Sequence, residues 1–118
     1  MNGSASVLVV DDDLSSLAML GLTLRQAGYD VKTVPGAEEA LRLLREEDFD
    51  WMITDARMLP VDGFELSRQA REIDPGLRIV MVSAENGAGG AAGYPIEAVF
   101  SKPVSADKLL SWMSNGRA

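Results

Sequence analysis

Short β-branched runs alternate with segments of helical spacing along this sequence, and that alternation leaves few folds open. Ser6 to Val10 reads SVLVV, a run suited to a strand buried on both faces, and it stops at Asp11, Asp12 and Asp13. From Leu14 the rhythm changes. Leu17, Leu20, Gly21 and Leu24 fall at i, i+3, i+4 and i+7, with an Asp available to cap the helix and Gly28 to stop it. Tyr29 to Val34 follows, its polar Asp30 and Lys32 alternating with apolar residues as in an edge strand. Pro35-Gly36 breaks it, and Ala37, Ala40, Leu41 and Leu44 form a second helical stripe that runs out in Glu46, Glu47 and Asp48, a solvated helix end. Trp51-Met52-Ile53-Thr54 is a third strand, ending at Asp55. A loop with Pro60 and Gly63 leads to a third stripe, Leu66, Ala70 and Ile73, closed by Asp74-Pro75-Gly76. Arg78 to Val82, ending at Ser83, and Ile96 to Ser101, ending at Lys102-Pro103, complete the strands. Between them, Asn86 to Gly93 has four glycines in eight residues, so a helix there is short or irregular. Ala106, Leu109, Leu110 and Met113 make the last stripe, which Asn115-Gly116 ends.

Five strands, each followed by a helix-sized segment, predict a doubly wound α/β domain: a five-stranded parallel sheet with helices on both faces, because right-handed crossovers put them there. A length of 118 residues fits a single domain of this kind, with residues 1–5 expected as a flexible tail and no effector domain expected within it. Composition then narrows the chemistry. Asp and Glu number 18 against 11 Lys and Arg, a formal charge of minus 7, which argues against neutralising nucleic-acid phosphates. With no Cys and no His, disulfides, thiol nucleophiles, Ser-His-Asp triads and His or Cys metal sites are excluded. Carboxylates, hydroxyls and lysines remain. No long apolar run and no basic-then-apolar start is present, so neither a membrane span nor a signal peptide is predicted and a cytoplasmic location is expected.

In open α/β sheets ligands bind beyond the carboxyl ends of the strands. Here those ends carry Asp11 and Asp12, Asp55, Ser83 and Lys102. Each alone has a plain reading as a cap, a loop residue, a turn residue or a surface lysine; four strand ends carrying them together make a site. Carboxylates brought within a few ångströms repel unless a cation lies between them. Oxygen donors without His or Cys select a hard ion, and Mg²⁺ combines one or two carboxylates with waters and phosphate oxygens. Lys102 and the metal reverse the local sign for a phosphoryl group, Ser83 can donate to one of its oxygens, and a carboxylate can take the group as an acyl phosphate.

These residues resemble the receiver domain of two-component response regulators from Val7 to Met113. VLVVDD, TDARM, Asp62-Gly63, VSAE and SKP carry the resemblance. It implies a flavodoxin-like strand order 2-1-3-4-5. It also implies that Asp55 accepts a phosphoryl group from the phosphohistidine of a histidine kinase or histidine phosphotransfer protein and signals to an output partner the sequence does not name. Asp12 and Asp55 would bind Mg²⁺ directly, Asp11 through water, and Arg57 through its backbone carbonyl. Ser83 would bind the phosphoryl group, Lys102 would pair with it, Arg57 and Glu85 would tune its lifetime, and the Lys102-Pro103 bond would be cis. Such a module is not an enzyme in the ordinary sense, since it catalyses only its own phosphotransfer and dephosphorylation.

The sequence departs from the family pattern in three places. Leu59 stands four residues after Asp55 where Pro is usual, with Pro60 one place later, so a different loop path is expected. Val99 takes the position of the usual aromatic switch residue, and Phe100 follows it. The interval from Ser83 to Lys102 is short and Gly-rich on the face that normally transmits the signal, so output is expected from another surface or from ordering of this segment. With Leu17, Leu20, Gly21 and Leu24 inward, Ser15, Met19 and Leu22 are expected to face out beside the acidic site, where family kinases and phosphotransfer bundles dock. Trp112 falls off the last helical stripe and is expected as an exposed anchor. A homodimer through the last two strands and last helix is allowed. Two other functions compete: a phosphorylation-independent interaction module on the same fold, and a haloacid dehalogenase-type phosphatase. The phosphatase would use Asp11 as nucleophile in an Asp-x-Asp motif and would leave Asp55 without a role.

Overall fold

The structure is a computed structural model that describes residues 4–84 and 91–115. Its elements run β1 (Ser6–Val10), α1 (Leu14–Gln26), β2 (Asp30–Val34), α2 (Ala37–Glu46), β3 (Trp51–Asp55), α3 (Gly63–Ile73), β4 (Arg78–Ser83), β5 (Ala98–Ser101) and α4 (Ala106–Asn115). The five strands are parallel in the order β2-β1-β3-β4-β5, the order the resemblance implies.

Strand alternation divides the core in two. On one face Leu8, Val10, Met52 and Ile79 meet α2 and α3 through Ala40, Leu41, Leu44, Leu66 and Ala70. On the other, Val7, Val9, Ile53 and Val80 meet α1 and α4 through Leu17, Leu20, Leu24, Leu109 and Met113. Residues one apart on β1 serve opposite faces, as a period of two requires, and each fully buried aliphatic side chain stabilises by about 1.5–3 kcal/mol. The helical stripes fall as the spacing predicts: Leu17, Leu20, Gly21 and Leu24 are the buried residues of α1, and Ala37, Ala40, Leu41 and Leu44 those of α2.

Three details differ from the sequence reading. Ala5 does not belong to a tail, because its carbonyl accepts the Asp30 N–H at 3.0 Å and its side chain packs on the α1/α4 core; Met1–Gly3 lie outside the described residues. The fifth strand is shorter than Ile96 to Ser101, beginning at Ala98 after the turn that holds Pro95. Residues 91–97 contain no α-helix, while the rest of the Gly-rich interval and Glu85 lie outside the described residues. No helix among the described residues is long and apolar enough to cross a membrane.

Candidate functional site

Sheet order places the polar strand ends side by side. β1 and β3 pair with Val10 opposite Thr54, so Asp11 and Asp55 leave adjacent strands in neighbouring positions. β4 lies on the far side of β3 with Val82 opposite Asp55, which sets Ser83 one step beyond. β5 adds Lys102, whose N–H donates to the Ser83 carbonyl at 2.8 Å. Sequence reasoning named these residues from strand endings alone, and the structure brings them together.

The Lys102 ammonium sits between two carboxylates, donating to Asp11 Oδ2 at 2.9 Å and lying 3.2 Å from Asp55 Oδ1. The other Asp11 oxygen accepts the Asp13 N–H at 2.9 Å. Asp11, Asp55 and Ser83 are buried, whereas Asp12 faces solvent. Burial raises the Asp55 pKa above the usual carboxylate range, and the charge of Asp11 adds to it, against the stabilising contact with Lys102. Burial would lower the Lys102 pKa, but its hydrogen bonds to Asp11 and Asp55 outweigh that and hold the ammonium charged.

Oxygens of Asp11, Asp12 and Asp55 fall within 4.8 Å of one another. One ammonium cannot neutralise three carboxylates, so the cluster keeps a negative excess that a cation would relieve. All-oxygen donors, two of them buried, suit a hard ion with retained waters such as Mg²⁺. Asp13, the third acid of the run, serves the helix instead. As N-cap of α1 its carboxylate accepts from the Ser16 N–H at 3.1 Å and the Ser16 hydroxyl at 2.6 Å, and those bonds lower its pKa.

Around this centre the other named residues divide. Arg57 is exposed on the loop after Asp55, and Leu59, at 85% exposure, is the most exposed large apolar residue among those described. Both Leu59-Pro60 and Lys102-Pro103 are cis. Ser15, Met19 and Leu22 are exposed on α1, and a groove of about 300 Å³ runs from Asp11 and Lys102 past Ser15 and Met19 to Pro103 and Val104. Leu14, at the start of α1, is also exposed, at 69%, and was not read from sequence, because it precedes the buried stripe. Trp112 is not an exposed anchor. It is half-buried, edge-on to Trp51 at 5.8 Å and to Phe100 at 6.1 Å, because an indole at the rim of a helical stripe is long enough to fold back onto the sheet. Gly63 stood in the sequence as a loop residue and, with Asp62, as part of the family motif, but not as a neighbour of Asp55.

The family model of the response regulator receiver domain matches residues 7–114. The chain belongs to that family. A curated relative, the transcriptional regulatory protein GlrR of Escherichia coli K12, is 37% identical over 108 residues, which cover 89% of this chain and 24% of GlrR. The receiver-family chain thus spans about a quarter of that relative's length. Among solved structures it resembles a CheY-like response regulator receiver domain protein from Methanospirillum hungatei JF-1, with a TM-score of 0.90, 26% identity and coverage of 97% of this chain and 94% of that one. The response regulator TrrA of Thermotoga maritima, solved in complex with Mg²⁺-BeF, matches with a TM-score of 0.86 over 93% of this chain and 96% of TrrA; at 23% identity it supports the fold alone. Receiver-family membership leaves the dehalogenase-type reading without support.

Proposed function

We propose that this receiver domain takes a phosphoryl group onto Asp55 from the phosphohistidine of a histidine kinase or histidine phosphotransfer protein, in the cytoplasm, and passes the signal to an output partner. The observation that carries the reading is the placement of Lys102 between Asp11 and Asp55, with a third carboxylate close enough to share a cation. An Asp55 Oδ atom attacks phosphorus as the P–N bond to the donor imidazole breaks, and the bonding electron pair stays on the ring nitrogen. Asp12 and Asp55 would hold Mg²⁺ directly, with Asp11 through water and the Arg57 carbonyl as backbone ligand. Bound there, the ion would neutralise charge on the phosphoryl oxygens. Lys102 then exchanges its contact with the Asp55 carboxylate for one with the phosphoryl group. The Ser83 hydroxyl donates to another phosphoryl oxygen, and Arg57 and Glu85 set how readily water reaches the acyl phosphate. Ser15, Met19 and Leu22 on α1 form the donor's docking surface.

Intact mass after incubation with Mg²⁺ and acetyl phosphate tests this. Wild type should gain one phosphoryl group, dependent on Mg²⁺, and Asp55→Asn should gain none. An adduct that survives in Asp55→Asn but disappears in Asp11→Asn would overturn the assignment, as would an unmodified, folded wild type.

A further inference from the structure

We propose that Gly63 is a positioning residue for phosphoryl transfer. The first residue of α3 abuts the Asp55 carbonyl with nothing but its Cα and so fixes the depth at which the nucleophile's backbone sits. The inference rests on Asp55 being the phosphoacceptor.

A Cβ on Gly63 would lie 2.1 Å from the Asp55 carbonyl oxygen, 3.0 Å from its carbon and 3.1 Å from Met81 Cε. The Met81 methyl is the end of a flexible side chain, but the Asp55 carbonyl is backbone. Gly63 does not have positive φ, unlike Gly28 and Gly93, so its conformation would accept any residue. Contact alone demands glycine, at the start of a helix where glycine is a poor helix former.

The helix cannot easily yield. Leu66 and Ala70 are fully buried, Ser67 is buried and donates to the Phe64 carbonyl at 2.7 Å, and Asp62 caps the helix by accepting the Glu65 N–H at 2.9 Å. Phe64 adds a ring contact to Tyr94 at 5.2 Å. An added methyl therefore pushes on Asp55. The same glycine closes the loop that carries Arg57, since its N–H donates to the Ala56 carbonyl at 3.0 Å while the Ala56 N–H donates to Val82. One residue thus sets the backbone of the nucleophile and the far end of the loop after it. Moving reacting groups by about 1 Å costs on the order of 100-fold in rate.

The experiment compares wild type, Gly63→Ala, Gly76→Ala and Leu77→Ala for phosphorylation by acetyl phosphate at saturating Mg²⁺, with donor concentration varied, alongside thermal midpoints. Gly63→Ala should lose about 100-fold in maximum rate, while its half-saturating donor concentration stays within about twofold of wild type. Gly76→Ala, whose added Cβ meets no atom nearer than 3.6 Å, should keep the wild-type rate. Leu77→Ala removes a buried side chain at the opposite end of β4, so it should lower the midpoint and leave the rate alone. A folded Gly63→Ala with a maximum rate near wild type overturns the proposal, as does equal slowing in Leu77→Ala. Should Gly63→Ala not fold, Asp62→Ala decides: it loosens the start of α3 without adding an atom there. A fall of about fivefold in maximum rate supports positioning and an unchanged rate overturns it. Wild type that takes no phosphoryl group on Asp55 overturns the underlying reading as well, whereas a labelled wild type with an unaffected Gly63→Ala overturns the role of Gly63 alone.

Discussion

At the starts of the central strands, Arg78 is held by the groups around it. Its guanidinium lies 4.4 Å over the Trp51 ring and 5.8 Å from that of Trp112, and it donates to both Glu97 oxygens, at 2.6 Å from Nη2 to Oε1 and 3.0 Å from Nε to Oε2. At the ends of the same strands, Lys102 is shared between Asp11 and Asp55, and Asp12 leaves a further carboxylate beside them. One end pairs a cation with an anion and stacks the cation on aromatic rings, whereas the other crowds carboxylates and leaves a negative excess. The first arrangement stabilises the fold. The second costs stability, and its excess charge is what a divalent cation and a phosphoryl group can use.

Breaking the strand-start end should give the largest effect on folding. Trp51 is 5% exposed and supports both Arg78 and Trp112, so Trp51→Ala should cost about 3–5 kcal/mol in urea denaturation. If the two ends are as separate as their chemistry suggests, the folded variant still gains a phosphoryl group on Asp55; loss of labelling in folded protein would show them coupled. The strand-finish end should respond to metal instead. Mg²⁺ at about 100 times its Kd should add ~2.7 kcal/mol to wild type, and that gain should disappear in Asp12→Ala. A gain that persists in Asp12→Ala would place the ion elsewhere.

Much of this contrast was legible in the sequence, though unevenly. The strand-finish residues were readable because a buried strand is a short apolar run, and the first polar residue after it marks the sheet edge where ligands bind. Asp11, Asp55, Ser83 and Lys102 needed no more than that. The strand-start cluster was not readable, since Arg78 and Glu97 are separated by 19 positions and meet only through the pairing of β4 with β5. Trp112 was misplaced for a related reason: helical periodicity gives the direction of a Cβ, not where a long indole comes to rest. Gly63 was legible as part of the Asp62-Gly63 motif but not as a neighbour of Asp55, because that contact depends on how the intervening loop closes and no local pattern encodes it. The sequence offered an Asp to cap α1 without fixing which one, and the bonds from Ser16 assign that part to Asp13.

The smallest predicted effect is the one that reverses sign. Asp55 has a folded pKa raised by burial and by Asp11, so above about pH 4, where an unfolded Asp loses its proton, the folded state holds its proton more tightly than the unfolded chain. Stability therefore falls as pH rises through that window, and at neutral pH the ionised Asp55 costs folding free energy. Asp55→Asn removes the cost. In metal-free buffer at neutral pH its thermal midpoint should exceed wild type by a few degrees, and the gap should narrow as pH falls toward the unfolded Asp range, where both side chains are neutral. Saturating Mg²⁺ should invert the order, because wild type then keeps a carboxylate ligand that the variant lacks. Midpoints of the two proteins across pH, with and without Mg²⁺, check all of this. A variant less stable than wild type in metal-free buffer would mean that the Lys102 contact outweighs burial and the repulsion from Asp11, and that this end of the sheet is as balanced as the other.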